Sequence, residues 1–511
     1  MKKKNWKPKI SKLKSLFGLW SQRKLTLQGK SIIINTFIMS KLYYSFYVIP
    51  VPKHVLDEIN SCVSTFVWCR KSPLIKHNTC IGHFSKGGLS LPNVKYKVYA
   101  FRLKLIKKYF DNNCDVLWKH TAKVFFNKYL NMGLCDNIFT IVYSRAGLQV
   151  MNPFYAELLS AWDDITCSQR ELISEDGLIM QQPLFQNPHV RFEGKLLYFK
   201  AFVEAGITTV ADICYEVISG FLNSLAIIEI VQNVTHDMPV SQIKAAYAII
   251  VKSLPREWVE YNLSPSHSES CTVKDIVICS DEENIPSSSL SVKRSYSLFV
   301  KREFVKPTSV EFWNKFALDI NFDKIWKTVF MSDKSSEQIE IDFKICHNII
   351  FTCEKLFKYG IIDTNQCPVC NNAEEDMFHM FVFCDELYET INIFRDIFTN
   401  IFRITGFTFN NLVTWLMFGF HSQQNKDMSD IMNILLSIYR TAVFKRRAIL
   451  NIQNKRINLL SLFKSYVKHH FKLLWICYQK RNNCNQFIRK FVMPLDIISI
   501  DNSNNLEFSN L

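Results

Sequence analysis

Glycine is scarce in this chain, with 14 residues in 511, about 3% where globular proteins carry about 7%. That scarcity excludes turn-dense all-β folds and Gly-rich phosphate loops as organising themes, and it favours helices. Long apolar runs are also missing. A spanning helix needs about 18 apolar residues without a charge, and the nearest stretch, Ile32 to Pro52, is broken by Lys41. No apolar block follows the basic N-terminus, so no secretory signal is read there. Of 16 Cys, only Cys367 and Cys370 stand at tight metal-type spacing. The others are scattered singly, as in a reducing compartment. What is present is 48% hydrophobic and 21% charged, a globular composition long enough for three or four domains. The fold class expected is mainly α, a multi-segment helical protein.

Negative charge is missing locally. The chain carries 62 Lys+Arg against 46 Asp+Glu, a balance of +16. Residues 1–110 hold 22 Lys+Arg and only Asp57 and Glu58 as acids, a balance of +20. Residues 440–490 hold 13 Lys+Arg and no acid, which leaves −17 for the remainder. Two basic ends flanking an acidic middle are the footprint of a polyanion partner, because Lys and Arg release counterions condensed on phosphates. A merely solvated face and an anionic lipid surface are the other readings. Neither block adjoins a spanning segment or lipidation signal, which weakens the membrane reading. The partner expected is nucleic acid, as RNA, DNA or hybrid.

The patterning divides the chain into five segments. Residues 1–110 read as a basic helical domain. Within it, residues 31–48 are apolar nearly all round, as in a buried helix. Val55, Leu56, Ile59, Val63, Phe66 and Val67 then recur at helical spacing after Pro50 and Pro52. Gly87-Gly88 marks a tight turn before a helix over 95–110. Tyr99, Leu103, Ile106 and Phe110 form that helix's seam, and Lys97, Lys104 and Lys108 line another face. Residues 111–262 read as a string of helices. Residues 263–293 are Ser-rich and partly acidic, the composition of a linker. Residues 294–400 hold the Cys pair, and Ile341, Ile345, Ile349 and Leu356 predict a helix leading into it. Helical patterning with the second basic block fills 401–511.

The sharpest motif is Cys367-x2-Cys370-x8-His379-x4-Cys384. Three thiolates and an imidazole match a closed, four-coordinate structural zinc site. His379 and Cys384 lie about 140° apart on a straight helix, so a break or helix end is required between them. Gly29-Lys30-Ser31 lacks the earlier Gly of a phosphate loop, since position 24 is Lys. Asp163-Asp164 is the only adjacent Asp pair, but it follows a helical pattern and reads as a solvated helix end. No catalytic residue and no Mg2+ site are assigned.

Trp20, Arg23, Leu25, Leu27 and Gly29-Lys30, then Lys41-Leu42, Tyr44 and Pro50, open a run of family-like features. Phe66-Val67-Trp68, Lys71, Gly87-Gly88-Leu89, Leu91-Pro92 and Tyr99-Ala100 continue it in order. Asn152-Pro153-Phe154-Tyr155, Trp162, Pro183 to Pro188, Gly206-Ile207 and Asp212 follow, and then the Cys3His set. In order and spacing this resembles the region after the palm in LINE-type (non-LTR) retrotransposon reverse transcriptases. The resemblance implies a thumb that grips the template–primer duplex and a zinc region that helps hold RNA or target DNA. The family's palm, fingers and endonuclease would precede residue 1. Synthesis by this chain alone is therefore not expected, and a partner chain could supply a palm. Candidate phosphate contacts are Lys2, Lys3, Lys4, Lys7, Lys9, Lys12, Lys14, Arg23 and Lys24. Lys97, Lys104 and Lys108 join them, as do Arg446, Arg447, Lys455 and Arg456 from the second block. Trp6, Trp20 and Trp68 could stack on bases, but are expected in the core. The run KKKNWKPK favours a nuclear over a cytoplasmic location, and docking of protein by the zinc knuckle is the competing role.

Overall fold

The computed structural model describes residues 2–69, 71–111, 113, 116–166, 179–215, 220–235, 238–262, 277–279, 284–286, 289–316, 318, 320–401, 408–421, 426–493, 498–501 and 506–508. The fold is mainly α. Helices α1 (Lys2–Ser21), α2 (Leu27–Ile33), α3 (Ser40–Val48) and α4 (Lys53–Val67) come first, with a π turn at Ile34–Ile38 between α2 and α3. In α1 the stripe Trp6, Ile10, Leu13 and Phe17 is buried, and Phe17 meets Phe66 of α4 at 5.2 Å. Of the predicted seam of α4, Val55, Ile59, Val63, Phe66 and Val67 are buried and Leu56 is partly buried against the same core. Lys30 is buried too. Its ammonium donates to the Val67 carbonyl at 2.8 Å, so the discarded phosphate-loop lysine closes the C-terminus of α4.

Gly87 and Gly88 make the expected turn, with Gly87 at φ +80°. A Cβ on Gly88 would stand 1.9 Å from the Gly82 carbonyl oxygen, so only glycine lets these two backbone segments cross.

Helix α5 (Val94–Phe110) is followed by α6 (Pro153–Thr166) and, after the middle of the chain, α7 (Val292–Glu303). One apolar core joins residues 6–98 to residues 313–506, and a second lies within 96–299. Helix α5 belongs to both: Val94 and Val98 face the first core, and Leu103, Ile106 and Tyr109 face the second. Its burial is therefore wider than the predicted seam. Tyr96 stacks on Phe299 of α7 at 4.8 Å, and the Tyr296 hydroxyl accepts from the Asn93 amide. Arg102 is fully buried in the same helix. It donates to the carbonyls of Phe46, Tyr47 and Ile49, ending α3, and pairs with Glu157 of α6 at 2.7 Å.

Most of the predicted linker, residues 263–276, 280–283 and 287–288, lies outside the described residues. Its described parts, β3 (Val277–Cys279) and β4 (Asn284–Pro286), pair antiparallel. The other two-stranded ribbons are β1 (Arg191–Phe192) with β2 (Lys195–Leu196) and β5 (Ile498–Ile500) with β6 (Leu506–Phe508). Among the described residues no helix is long and apolar enough to cross a membrane.

The C-terminal half is built on α8 (Ser336–Cys346), α9 (Cys353–Lys358), α10 (Phe409–Phe418), α11 (Lys426–Gln453) and α12 (Leu459–Lys480). Two helices replace the one predicted from Ile341 to Leu356, because Asn348 takes a left-handed backbone at φ +52°. A capping box at Ser335 and Gln338 starts α8. Behind it Asp342 is buried with three partners. Arg440 Nε donates at 2.6 Å, Lys334 Nζ at 2.7 Å and the Ser437 hydroxyl at 2.7 Å. Burial alone would raise the Asp342 pKa. Arg440 and then Lys334 outweigh it and hold the carboxyl at about 2.

A carboxylate depressed in the fold stabilises it above the unfolded pKa and ceases to do so as pH falls through the folded one. Stability from Asp342 is thus complete above pH about 4 and disappears toward pH about 2. Asp342→Asn, which leaves two buried cations uncompensated, is expected to cost about 3–5 kcal/mol in urea melts at pH 7. In the variant the stability loss between pH 4 and 2 should also be shallower than in the wild type.

Candidate metal centre

The Cys-Pro-Val-Cys knuckle is shaped by backbone hydrogen bonds. The Cys367 amide donates to the Ala373 carbonyl at 2.8 Å, and the Asn371 amide donates back to the Cys367 carbonyl at 2.9 Å. Asn371 sits at φ +58°, a left-handed position that Asn tolerates. The turn aims the Asn372 amide at Cys370 Sγ, 3.4 Å away. On the other side, the Asp376 carboxylate accepts from the His379 amide at 2.6 Å and starts a helical turn.

The required break between His379 and Cys384 takes a specific form. Residues His379–Phe383 are a π turn, and the Cys384 amide donates to the His379 carbonyl at 3.0 Å. An i→i+5 bond widens the turn, so residues five apart come round to one side. Cys384 then leaves the helix with an extended backbone. Both devices bring its sulfur back to the knuckle. Cys370 Sγ lies 3.3 Å from His379 Nε2, and the four donor atoms lie within 4.8 Å of one another.

Four donors at Zn–S of about 2.3 Å and Zn–N of about 2.0 Å would stand about 3.5–3.8 Å apart, a small contraction from this arrangement. The chemistry of the set fits as well. Hydrogen bonding to Cys384 holds the Cys367 thiol far below its ordinary range, and the same contact pushes Cys384 up. Three sulfurs and an imidazole packed this tightly favour replacing the shared proton with a cation. Every position is filled by a protein donor, so the group can hold a zinc ion structurally and leaves no open position for a substrate.

The rest of the helical body holds this group in place. Glu375 is buried in the loop before His379. Its carboxylate accepts from the Cys353 amide at 2.9 Å and pairs with Arg447 of α11 at 2.7 Å. Arg446 donates to the Glu386 carbonyl at 3.3 Å, and the Tyr439 hydroxyl donates to the Phe381 carbonyl inside the π turn at 2.8 Å. Of the sequence candidates, Arg446 is buried and Arg447 is ion-paired with Glu375, so both contact the metal loop. Their internal partners, Glu375 above all, carry no local sequence signal, because Glu375 is separated from Arg447 by 72 residues.

The other basic candidates are placed variously. Lys7, Lys12, Arg23, Lys24, Lys104, Lys108, Lys455 and Arg456 are exposed, and Lys9 is half-buried. Lys14 pairs with Glu58 at 2.6 Å. Lys97 is half-buried between the rings of Tyr43 and Tyr296, and burial lowers its pKa. The side chains of Lys2, Lys3 and Lys4 lie outside the described residues. Trp6 and Trp68 are in the core, whereas Trp20 is only partly buried against it. Asp163 and Asp164 lie in α6, and Asp164 pairs with Lys95 at 2.9 Å and with Arg302 of α7.

A closed Cys3His centre on a helical scaffold defines a structural metal module. Residues 291–390 match the family model described as zinc-binding in reverse transcriptase. The match begins at Ser291, whose side chain caps α7, and it encloses all four donors. Over these residues the chain is similar to a reverse-transcriptase-associated zinc-binding region.

Cys367→Ser is expected to lower bound zinc, measured by metal analysis of the purified chain, from about one per chain to near zero. Limited proteolysis should then cut within 340–400. Full zinc content together with wild-type resistance would contradict the assignment.

Proposed function

We propose that the chain is a nucleic-acid-binding portion of a non-LTR, LINE-type reverse transcriptase that acts in the nucleus. In this reading residues 1–110 grip template–primer or target DNA in the manner of a thumb, and the zinc region braces that grip. The observation that carries it is the charge of the N-terminal helices together with the family match. Residues 1–56 contain 12 Lys+Arg and no acid, and the helices that carry them share one apolar core with the metal module. A polyanion held on that face would be linked mechanically to the zinc region.

Exposed Lys7, Lys12, Arg23 and Lys24 are the leading phosphate contacts, with Lys104 and Lys108 from α5 and Lys455 and Arg456 from the loop after α11. Such contacts give affinity without reading bases. The chain's contribution in this proposal is positioning, and no catalytic carboxylate is assigned to it.

Binding to a primed RNA–DNA duplex across a salt series tests the proposal. Each neutralised phosphate contributes about 0.9 to the log–log slope on duplex DNA. Replacing Lys7, Lys12, Arg23 and Lys24 together by Gln should reduce the slope by about 2 or more, and zinc chelation should weaken binding further. A flat salt dependence in the wild type would refute phosphate contact.

A further inference from the structure

We infer that the outer face of the helical run 34–48 binds single-stranded nucleic acid by stacking on its bases. This deepens the nucleic-acid reading above and depends on it. The sequence pattern predicts that residues 31–48 are buried nearly all round, and the structure departs from that at Ile32, 49% exposed, and more fully at two aromatic rings. Phe37 is 55% exposed and Tyr44 77% exposed, and Val48 is exposed beside them. With exposed Lys41 they fall at 37, 41, 44 and 48, a single stripe at helical spacing. Met39, which links the π turn to α3, keeps helical dihedrals of φ −68° and ψ −30°, so the stripe is continuous. It runs for about 16 Å.

Cations flank the rings on both sides. At one end the Trp20 ring lies 5.7 Å from Phe37, and the Arg23 guanidinium lies 5.5 Å over the same indole. One residue round the helix, Tyr43 and Tyr47 each meet a lysine of α5, Lys97 at 5.2 Å and Lys104 at 5.8 Å. Exposed rings in a contiguous stripe mark a surface that another molecule covers. Residues 1–56 contain no acid, so the complementary partner is anionic. A second copy of this face would bring like charges together. A duplex presents phosphates but keeps its base faces stacked inside. A single strand presents both an anionic backbone and free π faces, the combination that aromatic rings between cations accept.

Fluorescence anisotropy on the full chain tests this with three probes: a short mixed-sequence RNA strand, the matching DNA strand, and the RNA–DNA duplex they form. The double variant Phe37→Ala/Tyr44→Ala should bind both single strands at least about tenfold more weakly while keeping wild-type duplex affinity. Phe37→Tyr/Tyr44→Phe, which keeps both rings, should retain single-strand binding. Because both residues are exposed, thermal melting should match the wild type. Equal losses on strand and duplex, or no loss on either, would overturn the stacking assignment. So would a variant that fails only to sediment with phosphatidylserine vesicles, since the face would then meet lipid. A wild-type chain that bound none of the three probes would instead overturn the nucleic-acid reading itself.

Discussion

Asp342 is the constraint around which the C-terminal half is arranged. A carboxylate without water must be matched by cations and hydrogen bonds, or the fold bears several kcal/mol for each unmet charge. Here the matching groups come from separate elements: Lys334 precedes α8, while Ser437 and Arg440 lie on α11. Arg440 also donates to the Leu416 carbonyl of α10 at 3.0 Å. The charge therefore sets the register of α11 against α8 and α10. Apolar packing alone would tolerate sliding between helices, but a dry ion triad does not.

That register decides what the rest of α11 can do. Tyr439 reaches the π turn, Arg446 the segment after Cys384, and Arg447 the buried Glu375. One helix thus carries both the charge lock and three contacts to the metal loop, within 11 residues from Ser437 to Arg447. The metal would close the Cys3His group locally, and α11 fixes the group's position in the body. Loss of either constraint leaves the other holding a partly ordered loop.

The N-terminal half follows a related rule with opposite sign. Its buried cations, Lys30 and Arg102, end helices by donating to the last carbonyls of α4 and α3. Only Arg102 has a carboxylate partner, Glu157. Among the described residues, exposed Lys14 pairs with Glu58 and exposed Lys123 with Asp136. Cations in excess and the exposed rings of Phe37 and Tyr44 therefore share this N-terminal part of the chain. The middle of the chain contributes through α6 and α7, which pack on α5 and consume the Asp164 charge in pairs with Lys95 and Arg302.

Local features were legible in the sequence because they depend on neighbours along the chain. The seam of α4, the Gly87-Gly88 turn and the four metal donors could all be read from spacing, since helical periodicity, left-handed backbone and chelation each act over a few residues. The need for a deviation between His379 and Cys384 was legible too, but not its form as a π turn. Tertiary structure alone decided which basic residues face outward. Arg446 and Lys455 look alike in sequence, yet one lies inside against Glu386 and the other in solvent. Tertiary structure also joined residues 6–98 to 313–506 in one core, and left Phe37 and Tyr44 exposed in a run that its composition alone would bury. The reason is the same each time: burial and pairing are set by elements far away along the chain, and periodicity carries no information about which face such an element will cover.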